Sequence, residues 1–456
     1  MVADRLQSRV HDGLPLDEGR DAPAADRLRA ALARYYWLVA GALAAGGVLA
    51  MARPFVGRHG LAPPLPHRDT VILEYVGWFL ARGHTLYVDV WEIKPPLAFL
   101  PPYLVATVTG TDMYALHVAG MALTGAAVVV TVAVAARVTG RLTGSPTCGL
   151  LAGLVFLAVP DFFYAPWLGY KAKALVFALG VVGLDLTLRD RPFAGGLSAG
   201  LAVGVWQLGA VFPAVTTAYV LVDGNRPTLK RHVAGGLTAL LTVAAALALY
   251  ADVPGFVAEV LLSPVVLTTD ATGVRPGRYF AVFPGWNGVA LTAAGVAGIL
   301  AAARDPPDET PAWPLALGAA LVVGVLLVDL DGLWDTAYPL LFVALGVGVL
   351  AARASRRTQL LALVVLGAVV GASFAPRESM RPDPVRTTPS DGLPPALDAE
   401  REHVYWTHQK VRSCRFFGAR TQRSVLQYYP DADRLAAAPC GDLGLYWNAT
   451  KERLGA

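Results

Sequence analysis

Two carboxylates and a lysine stand close together in the segment YVDVWEIKPPLAFLPPY, residues 87–103. They are Asp89, Glu92 and Lys94, and an apolar run broken by Pro-Pro pairs follows them. A carboxylate at a membrane surface can accept a proton from a hydroxyl group, and a lysine can hold a phosphate as a point charge. This combination suits the removal of a group from a lipid phosphate. The alternative, from charge alone, is a solvated loop whose charges only mark membrane topology.

The composition is typical of a membrane protein. Of the 456 residues, 55% are hydrophobic and 16% are charged, and the mean hydropathy is +0.49. The apolar residues come in blocks, such as WLVAGALAAGGVLAMA, that are about as long as a membrane span requires. Because the bilayer holds no water to satisfy the backbone, such blocks must be helical. The sequence predicts an all-α, multi-pass membrane protein and argues against one large soluble bundle, which would need polar stripes along its helices.

These blocks predict about eleven transmembrane helices. Each block is bounded by charged residues or by proline and glycine, which set the ends to within several residues. The predicted spans are 35–52, 113–136, 147–160, 172–188, 196–208, 209–222, 232–251, 286–303, 313–329, 336–352 and 359–375.

Basic residues in short loops predict the orientation, because they resist translocation. If the arginine-rich first residues are cytoplasmic, all the basic loops fall on the cytoplasmic side. The N-terminus is then cytoplasmic and the C-terminus lies outside the cell membrane. The basic positions are Arg137, Arg141, Arg189, Arg191, Arg226, Lys230, Arg231, Arg304 and residues 353–357.

This orientation requires that residues 95–110 do not cross the membrane. The two Pro-Pro pairs there remove backbone donors and interrupt a helix. The segment is therefore predicted to lie along the outer surface or to dip in and return. The first external loop then covers residues 53–112 and contains surface helices, and a second large external loop covers residues 252–285.

Both ends of the chain differ from its apolar middle. Residues 1–34 are charged and predict a cytoplasmic arm, residues 35–375 predict the transmembrane domain, and residues 376–456 predict an external tail with a small folded lobe. Cys414 and Cys440 lie in that tail. On an oxidising face they predict a disulfide, and the alternative is two separate free thiols.

The stretch RDTVILEYVGWFLARGHTLYVDVWEIKPPLAFLPPYL resembles the first external loop of membrane glycosyltransferases with the GT-C fold. That superfamily contains protein O-mannosyltransferases and bacterial lipid A aminoarabinose transferases, and its archaeal members include dolichol phosphate-mannose mannosyltransferases. The resemblance rests on Asp69 after the first span, on Tyr-Val-Asp-Val-Trp at 87–91 and on Lys-Pro-Pro at 94–96. It is specific over residues 66–104 and implies the GT-C fold.

The resemblance also implies a mechanism. Asp69 would be the general base that deprotonates the acceptor hydroxyl. Lys94 would neutralise the phosphate of a polyprenyl- or dolichyl-phosphate sugar, with Glu92 and Asp89 orienting it or contacting the sugar. Displacement at the anomeric carbon would invert its configuration, and the lipid tail would enter along residues 95–110. The implied donor sugar is a hexose, mannose by the archaeal resemblance, and the acceptor is a glycan or a protein on the outer face.

The same resemblance indicates further candidate site residues. Where the family often carries a second acidic residue, this chain reads YKAKAL. Either Asp161 takes that role, or Lys171 and Lys173 bind phosphate from that side, or these residues only hold a helix end at the interface. Arg278 and Tyr279 in the second external loop resemble a basic-aromatic contact to the lipid phosphate.

Three polar residues inside predicted spans have plainer interpretations. Trp206 and Gln207 predict a helix–helix contact, and His117 predicts a packed, neutral histidine. No cluster of histidine, cysteine and aspartate has metal-ligand spacing. Whether Asp69 takes a divalent cation is left open, and neither another cofactor nor a nucleic-acid partner is expected.

Two other classes of function remain open. One is a flippase or secondary transporter of a sugar or a lipid-linked substrate. The other is a non-catalytic membrane scaffold whose tail binds an external partner. Transporters commonly contain repeated halves and polar, broken helices at mid-membrane, whereas the charges here lie outside the spans, which favours the transferase.

Overall fold

The computed structural model describes residues 24–59, 68–88, 92–109, 113–262, 285–304, 318 and 337–374. Within these ranges the chain is helical, and its one β-bridge is an isolated parallel pairing of Leu86 with Ala251. The all-α prediction is confirmed for this part of the chain. The predicted external tail, with Cys414 and Cys440, lies outside the described residues.

The helices are numbered in chain order, and short 3-10 or π turns join some of them. They are α1 (Ala24–His59), α2 (Arg68–Ala81), α3 (Leu100–Val108), α4 (Met113–Thr143), α5 (Pro146–Leu157), α6 (Pro160–Tyr164), α7 (Ala172–Thr187), α8 (Pro192–Val205), α9 (Val211–Asp223), α10 (Arg226–Tyr250), α11 (Val253–Phe256), α12 (Gly285–Arg304), α13 (Ala337–Ala352) and α14 (Arg356–Ser373). The 3-10 turns are Pro96–Ala98, Ala165–Leu168 and Gln207–Ala210, and a π turn, Val257–Leu262, follows α11.

Among the described residues, four helices are long and apolar enough to cross a membrane, and a bent pair brings the number to five if it forms one span. The four are parts of α1 and α4 and the whole of α10 and α14; the bent pair is α5 with Phe162–Leu168, at 79°. The multi-pass prediction is therefore confirmed. The number eleven stays a prediction, since several apolar helices are shorter than the ~20 residues of a full span. The predicted span 313–329, apart from Gly318, lies outside the described residues.

Helix α1 begins at Ala24, inside the predicted cytoplasmic arm, and is kinked at Tyr35, where φ is −115° and ψ is 15°. The kink separates a charged first part from an apolar second part. The change from arm to span predicted at residue 34 therefore coincides with a break in one helix rather than with a helix start.

Two short helices, α2 and α3, belong to the predicted first external loop. Helix α3 has nine residues, which gives it a length of about 14 Å. The hydrocarbon core of a bilayer is about 30 Å thick, so α3 is too short to cross it. This result agrees with the prediction that the Pro-Pro pairs prevent a crossing.

Small residues let neighbouring helices approach closely, as is usual inside membranes. A Cβ on Gly298 of α12 would overlap the carbonyl oxygen of Gly346 in α13. Helices α8 and α10 meet in the same way, because a Cβ on Gly196 would overlap the His232 carbonyl and a Cβ on Gly204 would press on Val243. Helices α8 and α10 therefore run side by side in the same direction.

Candidate active site

A short extended stretch after α2 is fixed against the end of α10. The Leu86 N–H donates to the Tyr250 carbonyl at 2.8 Å, and the Asp252 N–H donates to the Leu86 carbonyl at 3.0 Å. Tyr87 then adopts φ 68°, a conformation that bulky residues rarely take. Its hydroxyl donates to the Lys94 carbonyl at 2.8 Å. These bonds fix the backbone that carries the charged residues.

Glu92 is fully buried and organises the turn that carries Lys94. Its Oε1 accepts hydrogen bonds from the Ile93 N–H and from Lys94 Nζ, both at 3.0 Å. The Glu92 N–H donates to Glu259 Oε2 at 2.9 Å, and Glu259, in the π turn after α11, is 2% exposed. Buried carboxylates are stable only when they are paired or hydrogen-bonded. Backbone N–H groups and Lys94 provide such bonds to Glu92 Oε1 and Glu259 Oε2.

Trp206, at the break between α8 and α9, brings two lysines together. The Lys94 ammonium lies 4.9 Å from the centroid of its indole, and the Lys173 ammonium lies 4.6 Å from it. Both distances fall within the range in which a ring attracts a cation. The Gln207 side-chain amide donates to the carbonyls of Ile93 and Val260, which ties this break to both acidic segments.

We call Glu92, Lys94, Lys173, Trp206 and Glu259 the lysine site. It contains two lysines whose ammonium groups lie at one indole, and two buried carboxyl groups next to Lys94 and the Glu92 backbone. The Lys94 side chain is 16% exposed whereas that of Glu92 is fully buried, so the ammonium is the end of this pair that a ligand can reach. An incoming anion can therefore share Lys94 with Glu92, and it gains charge-assisted hydrogen bonds by doing so.

The Tyr87 hydroxyl is a neutral hydrogen-bond donor next to the lysine site. Its burial raises the pKa of the phenol well above the ordinary value, and the negative charges of Glu92 and Glu259 raise it further. Tyr87 therefore stays protonated at any physiological pH. Its hydroxyl remains the donor that holds the Lys94 carbonyl.

A second buried cluster connects α2 to the segment before α7. Glu74 of α2 lies 2.8 Å from His117 Nδ1 through its Oε2. Glu74 Oε1 accepts from the Tyr170 N–H at 2.7 Å. Thr124 accepts from the Lys171 N–H at 2.9 Å. The cluster fixes the backbone just before Lys173 and so helps to set where the Lys173 ammonium lies.

Gly169 makes this cluster possible. Its φ is 111°, which is open to glycine and strained for other residues. A Cβ there would lie 2.5 Å from Glu74 Oε1 and 2.7 Å from His117 Cε1. The backbone turn and the buried pair therefore require a residue without a side chain at this position.

We expect Gly169→Ala to lower the free energy of unfolding by about 2–4 kcal/mol, because backbone strain and the clash with Glu74 add. The matched control is Gly144→Ala. Gly144 also has a positive φ, 65°, but a Cβ there would meet nothing within 4 Å, so a loss of only about 1–2 kcal/mol is expected. Denaturant unfolding in detergent micelles measures both. Equal losses would contradict the proposed packing against Glu74.

The structure brings together only some of the predicted site residues. Glu92, Lys94 and Lys173 meet at the lysine site, and Lys171 is buried at the N-terminal end of α7. Asp69 lies in the first turn of α2, and Asp161 lies in α6. The side chains of both are outside the described part of the chain. So are Asp89, Arg278 and Tyr279.

Glu74 and Glu259 were not identified as site residues from the sequence, and Trp206 and Gln207 were interpreted differently. Trp206 and Gln207 were expected in a helix–helix contact, but they form a break between two helices at the lysine site. Glu259 was not selected, although a lone carboxylate in the apolar segment VAEVLL was a usable signal. His117 is packed as expected, and Glu74 is its polar partner.

No group of three histidine, cysteine, aspartate or glutamate side chains within the described ranges is placed to hold a metal ion. The ammonium and carboxyl groups of the lysine site offer fixed charges. The two lysines of the site are groups that could bind a phosphate-bearing anion, and the buried Glu92 carboxylate holds Lys94 in place.

Comparisons with known proteins support the resemblance seen in the first external loop. Residues 83–245 match the family model described as DolP-mannose mannosyltransferase. That range contains Glu92, Lys94, His117, Lys173 and Trp206. A dolichol phosphate-mannose mannosyltransferase from Haloferax volcanii is 24% identical over 289 residues, which make up 62% of this chain and 62% of that protein. This match therefore spans less than two thirds of the relative's length.

Two solved structures of ArnT from Cupriavidus metallidurans are also similar. The structure bound to undecaprenyl phosphate aligns with a TM-score of 0.49 and 17% identity, over 92% of this chain and 76% of that one. The apo structure aligns with a TM-score of 0.43 and 15% identity, over 86% and 72%. These scores are too low to transfer any residue role.

Proposed function

We propose that this chain, which is similar to dolichol phosphate-mannose mannosyltransferases over residues 83–245, is a membrane glycosyltransferase. It moves a hexose, mannose in this proposal, from a polyprenyl- or dolichyl-phosphate donor to a hydroxyl group of a glycan or protein. The reaction takes place on the outer face of the membrane, with the N-terminus cytoplasmic and the C-terminus outside. The observation that carries the proposal is the pair of ammonium groups, of Lys94 and Lys173, at the ring of Trp206.

The spacing of these lysines suits a phosphate. Each ammonium lies within 5 Å of the same ring centroid, so the two are at most about 9.5 Å apart. A phosphate oxygen binds an ammonium at about 2.8 Å. A phosphate group between the two lysines therefore contacts both after small movements of their flexible side chains. Glu92 holds the Lys94 ammonium near that position in the meantime.

In the proposed reaction the acceptor oxygen attacks the anomeric carbon and the carbon–oxygen bond to the phosphate breaks. Asp69 takes the proton from the acceptor hydroxyl, and polyprenyl phosphate leaves with the bonding electron pair. The configuration at the anomeric carbon is inverted. The lysines stabilise the negative charge that develops on the leaving phosphate, and fixed charges of this kind are usually the largest contribution to catalysis.

The remaining predicted residues have auxiliary roles in this proposal. Asp89, three residues before Glu92, contacts the sugar. Arg278 and Tyr279 in the second external loop contact the lipid phosphate from the other side. Asp161 takes no role, because Lys173 occupies the phosphate site from the YKAKAL segment.

Helix α3 gives the lipid tail a route to the site. Its residues Leu104 and Val108 are 51% and 86% exposed, and exposed apolar side chains on a short helix favour contact with lipid. The helix directly follows Lys94 and the Pro-Pro pair in the chain. A prenyl tail along α3 therefore places its phosphate at the lysine site.

The test uses the purified full chain in liposomes with radiolabelled dolichyl phosphate-mannose and a crude membrane-glycan acceptor. We expect the label to move to the acceptor and free dolichyl phosphate to accumulate. GDP-mannose should not serve as donor, because a soluble nucleotide lacks the lipid tail. An unconsumed lipid-linked donor would contradict the proposal. Intact donor transferred across the bilayer would indicate a flippase instead.

A further inference from the structure

A second charged cluster lies at the far end of α4 and α7 from the lysine site. It consists of Asp185 with Arg137, Arg141 and Arg189, and we call it the arginine cluster. Along α4, Arg137 is about 30 Å beyond His117, and along α7, Asp185 is about 18 Å beyond Lys173. The proposed transferase reaction does not use this cluster, so it requires a separate explanation.

Asp185 is buried, and the three guanidinium groups surround it. Arg137 Nε and Arg141 Nε lie 3.7 Å and 3.3 Å from Asp185 Oδ1, and an Arg189 terminal nitrogen lies 3.6 Å from Oδ2. These distances exceed the usual N–H···O range of about 2.7–3.2 Å. Asp185 Oδ1 has no hydrogen-bond partner within the described ranges. The three arginines therefore lie near the Asp185 carboxylate, but their N–H groups do not form hydrogen bonds of normal length with it.

The cluster carries more positive charge than one carboxylate can balance. Three arginines and one aspartate leave an excess of two positive charges. Each guanidinium has five N–H donors in a fork that matches phosphate oxygens. No described residue accepts a hydrogen bond from any of the three forks. Bringing like charges together costs free energy, and an anion that occupies the open donors would offset that cost.

The surroundings of the cluster favour a ligand at the membrane boundary. The Arg141 side chain is 38% exposed and that of Arg189 is 27% exposed. Arg137 lies 4.9 Å from the ring centroid of Trp37, and the Tyr36 hydroxyl donates to the Arg137 carbonyl. Tyrosine and tryptophan are enriched where a helix meets the membrane interface. The open forks therefore lie beside these aromatic residues, near the end of α4, which is long and apolar enough to cross a membrane.

We propose that the arginine cluster binds a phosphate-bearing anion, the headgroup of an anionic phospholipid, at the end of the bundle opposite the lysine site. Basic pockets between transmembrane helices bind such headgroups. A free phosphate compound offers the same chemistry without the lipid tail. This site is independent of the sugar donor, and its failure would leave the proposed transfer reaction untouched.

Native mass spectrometry of the purified full chain tests the site, with phosphatidylglycerol and phosphatidylcholine added in equal amounts. We expect phosphatidylglycerol to be preferred and Arg141→Gln to reduce that preference about fivefold, since one basic residue near a headgroup contributes about that factor. The matched control is Arg231→Gln on α10, which removes an exposed arginine at the same end of the bundle. An unchanged preference in Arg141→Gln, or an equal loss in both variants, would overturn the proposal.

Two further measurements complete the test. In the first, inorganic pyrophosphate is added as a competitor of phosphatidylglycerol. Displacement of the lipid supports a site that also takes free phosphates, and no displacement restricts the site to lipids; both results agree with phosphate binding at the cluster. Asp185→Asn raises the charge excess, so its preference for phosphatidylglycerol should equal or exceed that of the wild type. If this variant loses the preference as Arg141→Gln does, the cluster is only a structural ion pair and the proposal is wrong.

Discussion

Lys94→Gln is expected to lower kcat/KM for transfer from a polyprenyl-phosphate sugar by about 100- to 1,000-fold. The change removes one fixed cation from the leaving phosphate, and loss of one preorganised group at a developing charge has effects of this size. Lys94→Arg should recover part of the activity, because the charge remains. The measurement is the initial rate of dolichyl phosphate-mannose consumption in liposomes as a function of donor concentration.

The control for Lys94→Gln is Lys230→Gln, at the opposite end of the bundle, which should leave kcat/KM unchanged. Removal of Lys94 also leaves the buried carboxylate of Glu92 without its ion-pair partner, and this loss can destabilise the fold. The double variant Glu92→Gln with Lys94→Gln removes that unpaired charge. It should fold normally and stay inactive. Near-normal activity in the folded double variant would show that Lys94 has no part in the reaction.

Asp69→Asn is expected to lower kcat by about 100- to 10,000-fold with little effect on donor binding, because general base catalysis contributes effects of that size. The asparagine is nearly isosteric but cannot accept the hydroxyl proton. Asp69 lies in the first turn of α2, and Glu74 in the same helix is fixed by His117 and Tyr170. The base would therefore be carried on a helix with a defined position.

The matched control for Asp69→Asn is Asp190→Asn. Asp190 is exposed between α7 and α8 with φ 54°, a conformation that asparagine tolerates, so activity should not change. The kcat values come from the same liposome assay at saturating donor. If Asp69→Asn keeps its kcat, the general base is another group, and Glu259 is the next candidate because its carboxylate lies at the lysine site.

The sequence was sufficient for the parts of the site that depend on local chain features. Glu92 and Lys94 stand out as charges beside a Pro-Pro pair, and the short α3 follows from the helix-breaking prolines. The three interpretations of the YKAKAL segment could not be separated from the sequence, because the choice depends on which segment packs against it. The structure places the Lys173 ammonium at the same indole as that of Lys94, and our proposal of phosphate binding by Lys173 rests on this position.

Contacts between segments far apart in the chain could not be predicted. Trp206 follows Lys94 by more than a hundred residues, and the Glu259 carboxylate, which lies farther still along the chain, accepts a hydrogen bond from the Glu92 N–H. Hydropathy predicted a boundary between spans at residues 208 and 209, close to the break at Trp206, but not the rotation of the helices. It predicted an external loop over residues 252–285, where Glu259 lies in the π turn Val257–Leu262. Glu74 and His117 are a similar case, since their pairing depends on the left-handed turn at Gly169.

The structure of the full chain with bound dolichyl phosphate tests the central claim most directly. We predict that its phosphorus atom lies within about 4 Å of both the Lys94 and the Lys173 ammonium nitrogens, with oxygens at hydrogen-bond distance. The prenyl tail should run along α3. A phosphate bound elsewhere while the lysine site stays empty would contradict the account.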